Sequence, residues 1–202
     1  VLANVVNIAY GFGTNKKTST YTTIRIPCSK QSVTLTQTHF ENNHAGSNGG
    51  AIATPDNYKN TFFEIEKNTF INNVAKNKGG ALHISGPQTA AQIKDSTFIQ
   101  NKASSGGAIS IESSASMQMF NTNGVRNVAE KGDGGFLYAQ FASPILLQNV
   151  SISQSSSTHG NGGALAVTAS QIALENVQIE DCSTEVGDGG AIFLDGLAEA
   201  HL

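Results

Sequence analysis

Tryptophan is absent, proline occurs four times and cysteine twice in 202 residues. Cys28 and Cys182 are too few for a disulfide framework, and no C-x-x-C spacing is present. Charge is scarce as well: 13% of residues are charged and the formal net charge is −3. No basic field therefore points to nucleic acid or anionic lipid. No apolar run approaches the roughly 20 residues that span a bilayer, and no signal-peptide pattern is found. The chain starts at Val1 rather than Met, which reads as a piece of a longer protein. What is plentiful is Gly, with 21 residues, together with Ser, Thr and Asn, a mixture suited to short strands joined by tight turns.

The glycines are periodic. Pairs stand at Gly49-Gly50, Gly79-Gly80, Gly106-Gly107, Gly134-Gly135, Gly162-Gly163 and Gly189-Gly190, spaced 30, 27, 28, 28 and 27 residues apart. Ala follows each pair except the fourth, which has Phe136, and the next residue is always aliphatic. Before each pair lies a second landmark: Phe40 with Asn43, Phe70 with Asn73, Phe98 with Asn101. It then degrades to Gly124 with Asn127, Ile152 with Ser155 and Ile179 with Cys182.

Between each pair and the next Phe position the pattern alternates. Five residues before it the column reads Leu35, Ile65, Ile93, Met119, Leu147, Leu174, and seven before it Val33, Phe63, Ala91, Met117, Ile145, Ile172. The residues between are mostly polar or small. Apolar-in, polar-out alternation at period two is a strand with one buried face. After the glycines Ile52, Leu82, Ile109, Leu137, Leu165 and Ile192 form one inward column, and Thr54, Ile84, Ile111, Ala139, Val167 and Leu194 the next. Residues 22–26 supply a degenerate earlier copy, with residues 1–21 an irregular rung or cap.

Each repeat then holds two clear strands and a short third near Phe-x-x-Asn. A lone rung cannot bury its inward face, whereas rungs stacked at about 4.8 Å pair their backbones and align each column into a ladder. At about 1.5–3 kcal/mol per buried side chain, four or five inward residues per rung offset much of the ordering cost. A helical solenoid fails on the internal period of two, and a propeller blade needs 40 or more residues. The expected fold is an all-β, right-handed, single-stranded parallel β-helix of the pectin-lyase type over residues 22–202, with about 28 residues per rung. Asn43, Asn73, Asn101 and Asn127 are expected to stack at an inner turn, bonded rung to rung, and the glycine pairs to form the tight corner entering a strand. Cys28 and Cys182 would lie about 24 Å apart along the axis, beyond the about 7 Å that a disulfide tolerates. The end at Gly196–Leu202 falls just after a strand without a polar cap, so the parent chain is expected to continue with more rungs or a cap.

Phe-x-x-Asn paired with Gly-Gly-Ala-(Ile/Leu) resembles the repeat of the chlamydial polymorphic outer membrane proteins, which also looks widespread in surface proteins of ciliates and other protists. The resemblance covers residues 40–194 and is complete in the copies at Phe40/Gly49, Phe70/Gly79 and Phe98/Gly106. It implies a surface scaffold or adhesin, without cofactor, at the cell surface or outside the cell. Protein or glycan partners would then be met along the side of the coil.

The same coil also serves carbohydrate-active enzymes, which need two or three converging carboxylates. Here the outward acids are dispersed, and Glu66 is expected to face Lys94 and Lys67 to face Asp95 as ladder ion pairs. Asp133, Asn161 and Asp188 precede successive glycine pairs; a calcium column and local turn bonding both account for them, the second better. The five histidines occupy different repeat positions, as surface or corner residues without metal spacing. Asn149-Val150-Ser151 is a glycosylation sequon, and Asn149 equally forms a polar column with Asn121 and Asn176. One residue past the aliphatic, an outward column runs Arg25, Ala53, His83, Ser110, Tyr138, Ala166, Phe193; with outward Phe120 and Leu146 it is expected to mark a lateral contact surface. The reading favoured is a non-catalytic structural or adhesive coil. The alternatives are a pectin-lyase-like enzyme and a scaffold subunit of a protist assembly such as a cilium-associated complex.

Overall fold

The structure is a computed structural model that describes residues 31–54, 59–196 and 199–201. The readings made for residues 1–21, for the copy at 22–26 and for Cys28 fall outside them. The described chain is all β: four parallel sheets run along one axis, and every neighbour in a sheet lies one repeat away. Ile65, Ile93 and Met119 occupy one interior file, paired in register and fully buried. The protein is a parallel β-solenoid of about six turns and about 28 residues per rung.

Two sheets carry the strands read from sequence. The long-strand sheet stacks Gln31–Thr36, Thr61–Glu66, Ala90–Lys94, Ser116–Phe120, Ile145–Gln148, Gln171–Glu175 and Glu199–His201. The post-glycine sheet stacks Ile52–Ala53, Leu82–Ser85, Ile109–Glu112, Leu137–Gln140, Leu165–Thr168 and Ile192–Asp195. The expected single short strand at Phe-x-x-Asn is in fact two. A Phe sheet begins at His39–Glu41 and Thr69–Ile71, and a two-residue sheet begins at His44–Ala45 and Val74–Ala75. A corner between Phe and Asn divides them.

That corner is left-handed backbone. Asn42, Asn72, Gln100, Arg126, Gln154 and Asp181 all have φ between 52° and 57°. So do the corners that close the long strands, at Gln37, Lys67, Asp95, Asn121, Asn149 and Asn176, with φ of 48–55°. Such a residue costs about 1–2 kcal/mol. It is tolerated because its amide still reaches the next rung, as Asn72 N–H does to the Ile99 carbonyl at 3.0 Å. The ladder thus turns the corner without a break.

The two glycines of a pair answer different demands. Gly106 has φ of +61°, where a Cβ is disfavoured, whereas Gly107 sits where a Cβ would lie 2.2 Å from the Gly135 carbonyl oxygen of the next rung. One sets the turn and the other sets how closely rungs approach.

Candidate interaction surface

The residue after each left-handed corner points inward, and its polar atoms hold the turn. Asn73 Nδ2 donates to Asn101 Oδ1 at 2.9 Å and to the Phe40 carbonyl at 3.0 Å, while Asn73 N–H also reaches Asn101 Oδ1 at 3.0 Å. Asn101 repeats this with Asn127 and Phe70. Asn43 donates to Asn73 at 2.8 Å, and Asn127 N–H meets Ser155 Oγ at 3.3 Å. At the end of the file Cys182 Sγ lies 3.9 Å from the Ile152 carbonyl, and burial pushes its thiol pKa up. Each interior amide spends its donors and its acceptor on neighbouring rungs, which is why a polar group can sit in this core.

A second interior ladder escapes motif reading. Asn68, Ser96 and Thr122 are buried behind the other corner. Asn68 Oδ1 accepts the Thr38 amide at 2.7 Å, and Asn68 Nδ2 donates to the Leu35 carbonyl at 2.7 Å. Ser96 Oγ accepts the Asn68 amide at 3.1 Å, and Thr122 Oγ1 the Ser96 amide at 3.4 Å. Residue type changes from rung to rung while an accepting oxygen stays, so no letter repeats.

The Phe file shows a compensation. Phe40, Phe70 and Phe98 stack with centroids 4.8 and 4.7 Å apart and planes 4° from parallel. Gly124 takes the next place, and the ring of Phe136 enters it from across the same rung, 5.9 Å from Phe98 and edge-on at 80°. A Cβ on Gly124 would lie 2.5 Å from that ring. The two departures from the repeat are one substitution made in two places.

Between exposed Ala53 and half-buried Phe193, the outward column beside the glycines is not an exposed surface. His83, Ser110 and Ala166 are buried and Tyr138 is 8% exposed, because the segment carrying each glycine pair folds back over it. The Cβ position of Gly106 is 3.1 Å from Tyr138 Cβ, and that of Gly162 is 3.1 Å from Ala166 Cβ. His83 is therefore not a surface or corner residue: Asn48 lies 3.5 Å from its Nε2 and Ser110 Oγ 3.3 Å from its Nδ1. Over this face Lys78 Nζ meets Glu112 at 2.5 Å and lies 5.5 Å from the centre of the Tyr138 ring. Burial, and then the charges of Glu112 and Asp133, push the Tyr138 phenol up to about 12. A raised folded pKa means that the neutral phenol contributes stability below its unfolded value of about 10, and that this is lost as pH rises through about 12. Stability should fall between those values, and Tyr138→Phe should flatten that part of a denaturation-midpoint profile. Equal slopes in both proteins would contradict the assignment.

The remaining sites are placed as follows. Phe120 and Phe193 are half-buried, and Asn149 is exposed. Asn149 Nδ2 donates to Asn121 at 3.2 Å and Asn149 Oδ1 accepts from Asn176 at 2.8 Å, an outer amide ladder that continues from Asn121 to Asp95. Asp133 Oδ1 accepts the Asn161 amide at 2.6 Å, and Asn161 Oδ1 the Asp188 amide at 2.8 Å. These side chains are thus engaged in turn bonding. Among the described residues no group of three His, Cys, Asp or Glu is placed to hold a metal. The ion pair of Lys67 is formed with its neighbour Glu66 at 2.9 Å, which raises the Lys67 pKa, rather than with Asp95 across the rungs. Asp95, across the rungs, adds a smaller attraction to the Lys67 ammonium.

No helix of the described chain is long and apolar enough to cross a membrane. Residues 37–55, 69–85 and 95–112 match the Chlamydia polymorphic membrane protein repeat. These are the three rungs that keep both Phe-x-x-Asn and Gly-Gly-Ala. Neither the curated proteins nor the solved structures contain a match to the chain.

Proposed function

We propose that this chain, three of whose rungs carry the Chlamydia polymorphic membrane protein repeat, is a structural and adhesive element of a large cell-surface or extracellular protein. It works by holding rigid lateral faces toward protein or glycan partners, without catalysis. The observation that carries this reading is the matched repeat set in an unbroken series of ladders. The polar side chains of the two corner files are engaged in rung-to-rung bonding, and outward Lys78, Lys102 and Lys67 are held by Glu112, Glu130 and Glu66. An arrangement of this kind supplies stiffness, as expected of a stalk or display surface.

Displaying residues 1–202 on a non-adherent cell should raise attachment to glycan-coated or protein-coated surfaces, and soluble chain should compete with it. Release of new sugar ends from acidic polysaccharides by the purified chain would overturn the non-catalytic reading. Display without any gain in attachment would overturn the adhesive one.

A further inference from the structure

Among the described residues, Phe62 and Phe141 are the aromatic side chains that stay exposed, at 41% and 63%. Phe62 opens an outward column of the long-strand sheet, in register with Ala90 and then Ser116. Pro144 continues that column, one residue before Ile145, which pairs with Met117. Phe141 lies three residues before Pro144, at the corner that leaves the post-glycine strand. Its φ is 49°, in a corner that the neighbouring rungs fill with Ser113 and Ala169 at φ of 56° and 48°. A bulky apolar residue is disfavoured in that backbone region, and this one gains little burial in exchange. Folding therefore gives no reason for Phe141, and strain kept at an exposed position points to binding.

Between the two rings stand Gln88, Ser113, Ser114 and Ser116, and no charged residue among those described. Lys59 and Glu64 sit beside Phe62 rather than between the rings, and Glu112 is taken up by Lys78. The side chains of exposed Gln88, Ser113 and Ser114 have no hydrogen-bond partner among the described residues. Resting on the adhesive reading, we propose that this strip binds a linear neutral polysaccharide. Phe62 and Phe141 are platforms for the apolar faces of its sugar rings, and the free hydroxyls and amide between them bond its hydroxyl groups. The rings stand about 14 Å apart along the axis, three steps at the sheet spacing, so a chain running along the coil meets both. An anionic glycan or a single-stranded nucleic acid needs cations, and the strip offers none. It measures about 14 Å by 10 Å over three steps and three residues, far below the about 800 Å² per partner of a folded protein complex. A proline-rich peptide would meet aromatic rings too, but it brings only carbonyls to the serines and Gln88.

Affinity electrophoresis of the 202-residue chain in native gels holding galactomannan, laminarin or hydroxyethyl cellulose, with heparin as the anionic comparison, tests this. Retardation by at least one neutral polymer is expected, unchanged by added salt. Phe62→Ala and Phe141→Ser should each weaken it at least about tenfold, and together abolish it. Both variants keep the fold, because Ala90 and Ser113 occupy the same places on neighbouring rungs. Phe141→Ser should also raise the urea midpoint by relieving the corner, which separates lost binding from lost structure. No retardation by any neutral polymer, retardation by heparin alone, equal retardation of native and variant chains, or binding of an oligoproline peptide that neutral polymer does not displace would each overturn the proposal. Attachment of the displayed chain to protein-coated surfaces without retardation here would overturn this strip and leave the adhesive reading standing. Retardation without attachment of the displayed chain would do the reverse.

Discussion

Replacing Phe136 by Ala is expected to lower stability by about 3–5 kcal/mol, and a second substitution, Gly124→Phe, is expected to recover most of that loss. Phe136 is fully buried and fills the place that Phe98 and Phe70 fill in the preceding rungs. Its loss leaves a hole against Gly124 that the stiff ladders on either side cannot close. Gly124→Phe alone should also destabilise, since its Cβ would lie 2.5 Å from the Phe136 ring and overpacking costs about 1–3 kcal/mol or more. With Phe136 reduced to Ala, as in every other rung, the new ring can extend the stack of Phe40, Phe70 and Phe98. The two changes should therefore be strongly non-additive. Urea midpoints of the four proteins decide the matter: additive losses would show that the ring at 136 and the gap at 124 are unrelated.

Asn101→Ala should be almost as damaging, at about 3–5 kcal/mol. It leaves the Asn73 amide, one Nδ2 proton of Asn73 and the Phe70 carbonyl without their partners in a dry interior. Each such group costs about 1–3 kcal/mol. Asn149→Ala is the control, because it removes amide bonds of similar length from a ladder that is exposed. Water replaces those partners, so the loss should stay at about 1 kcal/mol, set by placing Ala instead of Asn at a left-handed corner with φ of 54°. Equal effects at the two positions would mean that burial is not what makes the inner amides matter.

Part of this was legible in the chain itself. Period-two alternation in columns such as Leu35, Ile65 and Ile93 requires half-buried strands, and its recurrence about every 28 residues requires stacking, because no rung buries its own face. The Asn file was visible because its letter repeats. The ladder of Asn68, Ser96 and Thr122 was not: its chemistry is an accepting oxygen, which three residue types supply equally well.

What the residues determined alone is thus the period, the inward columns, the glycine corner and the turn at the Asn file, since these follow from local sterics and from burial repeated at fixed spacing. Tertiary structure decided the rest. Alternation states that Tyr138 and His83 point away from the core columns, but not that the glycine segment folds back and buries them. Repetition shows Gly124 and Phe136 as two lapses, and only the coil brings them together as one fit. In each case the deciding contact lies across a rung or between rungs, where packing rather than chain neighbourhood sets which atoms meet.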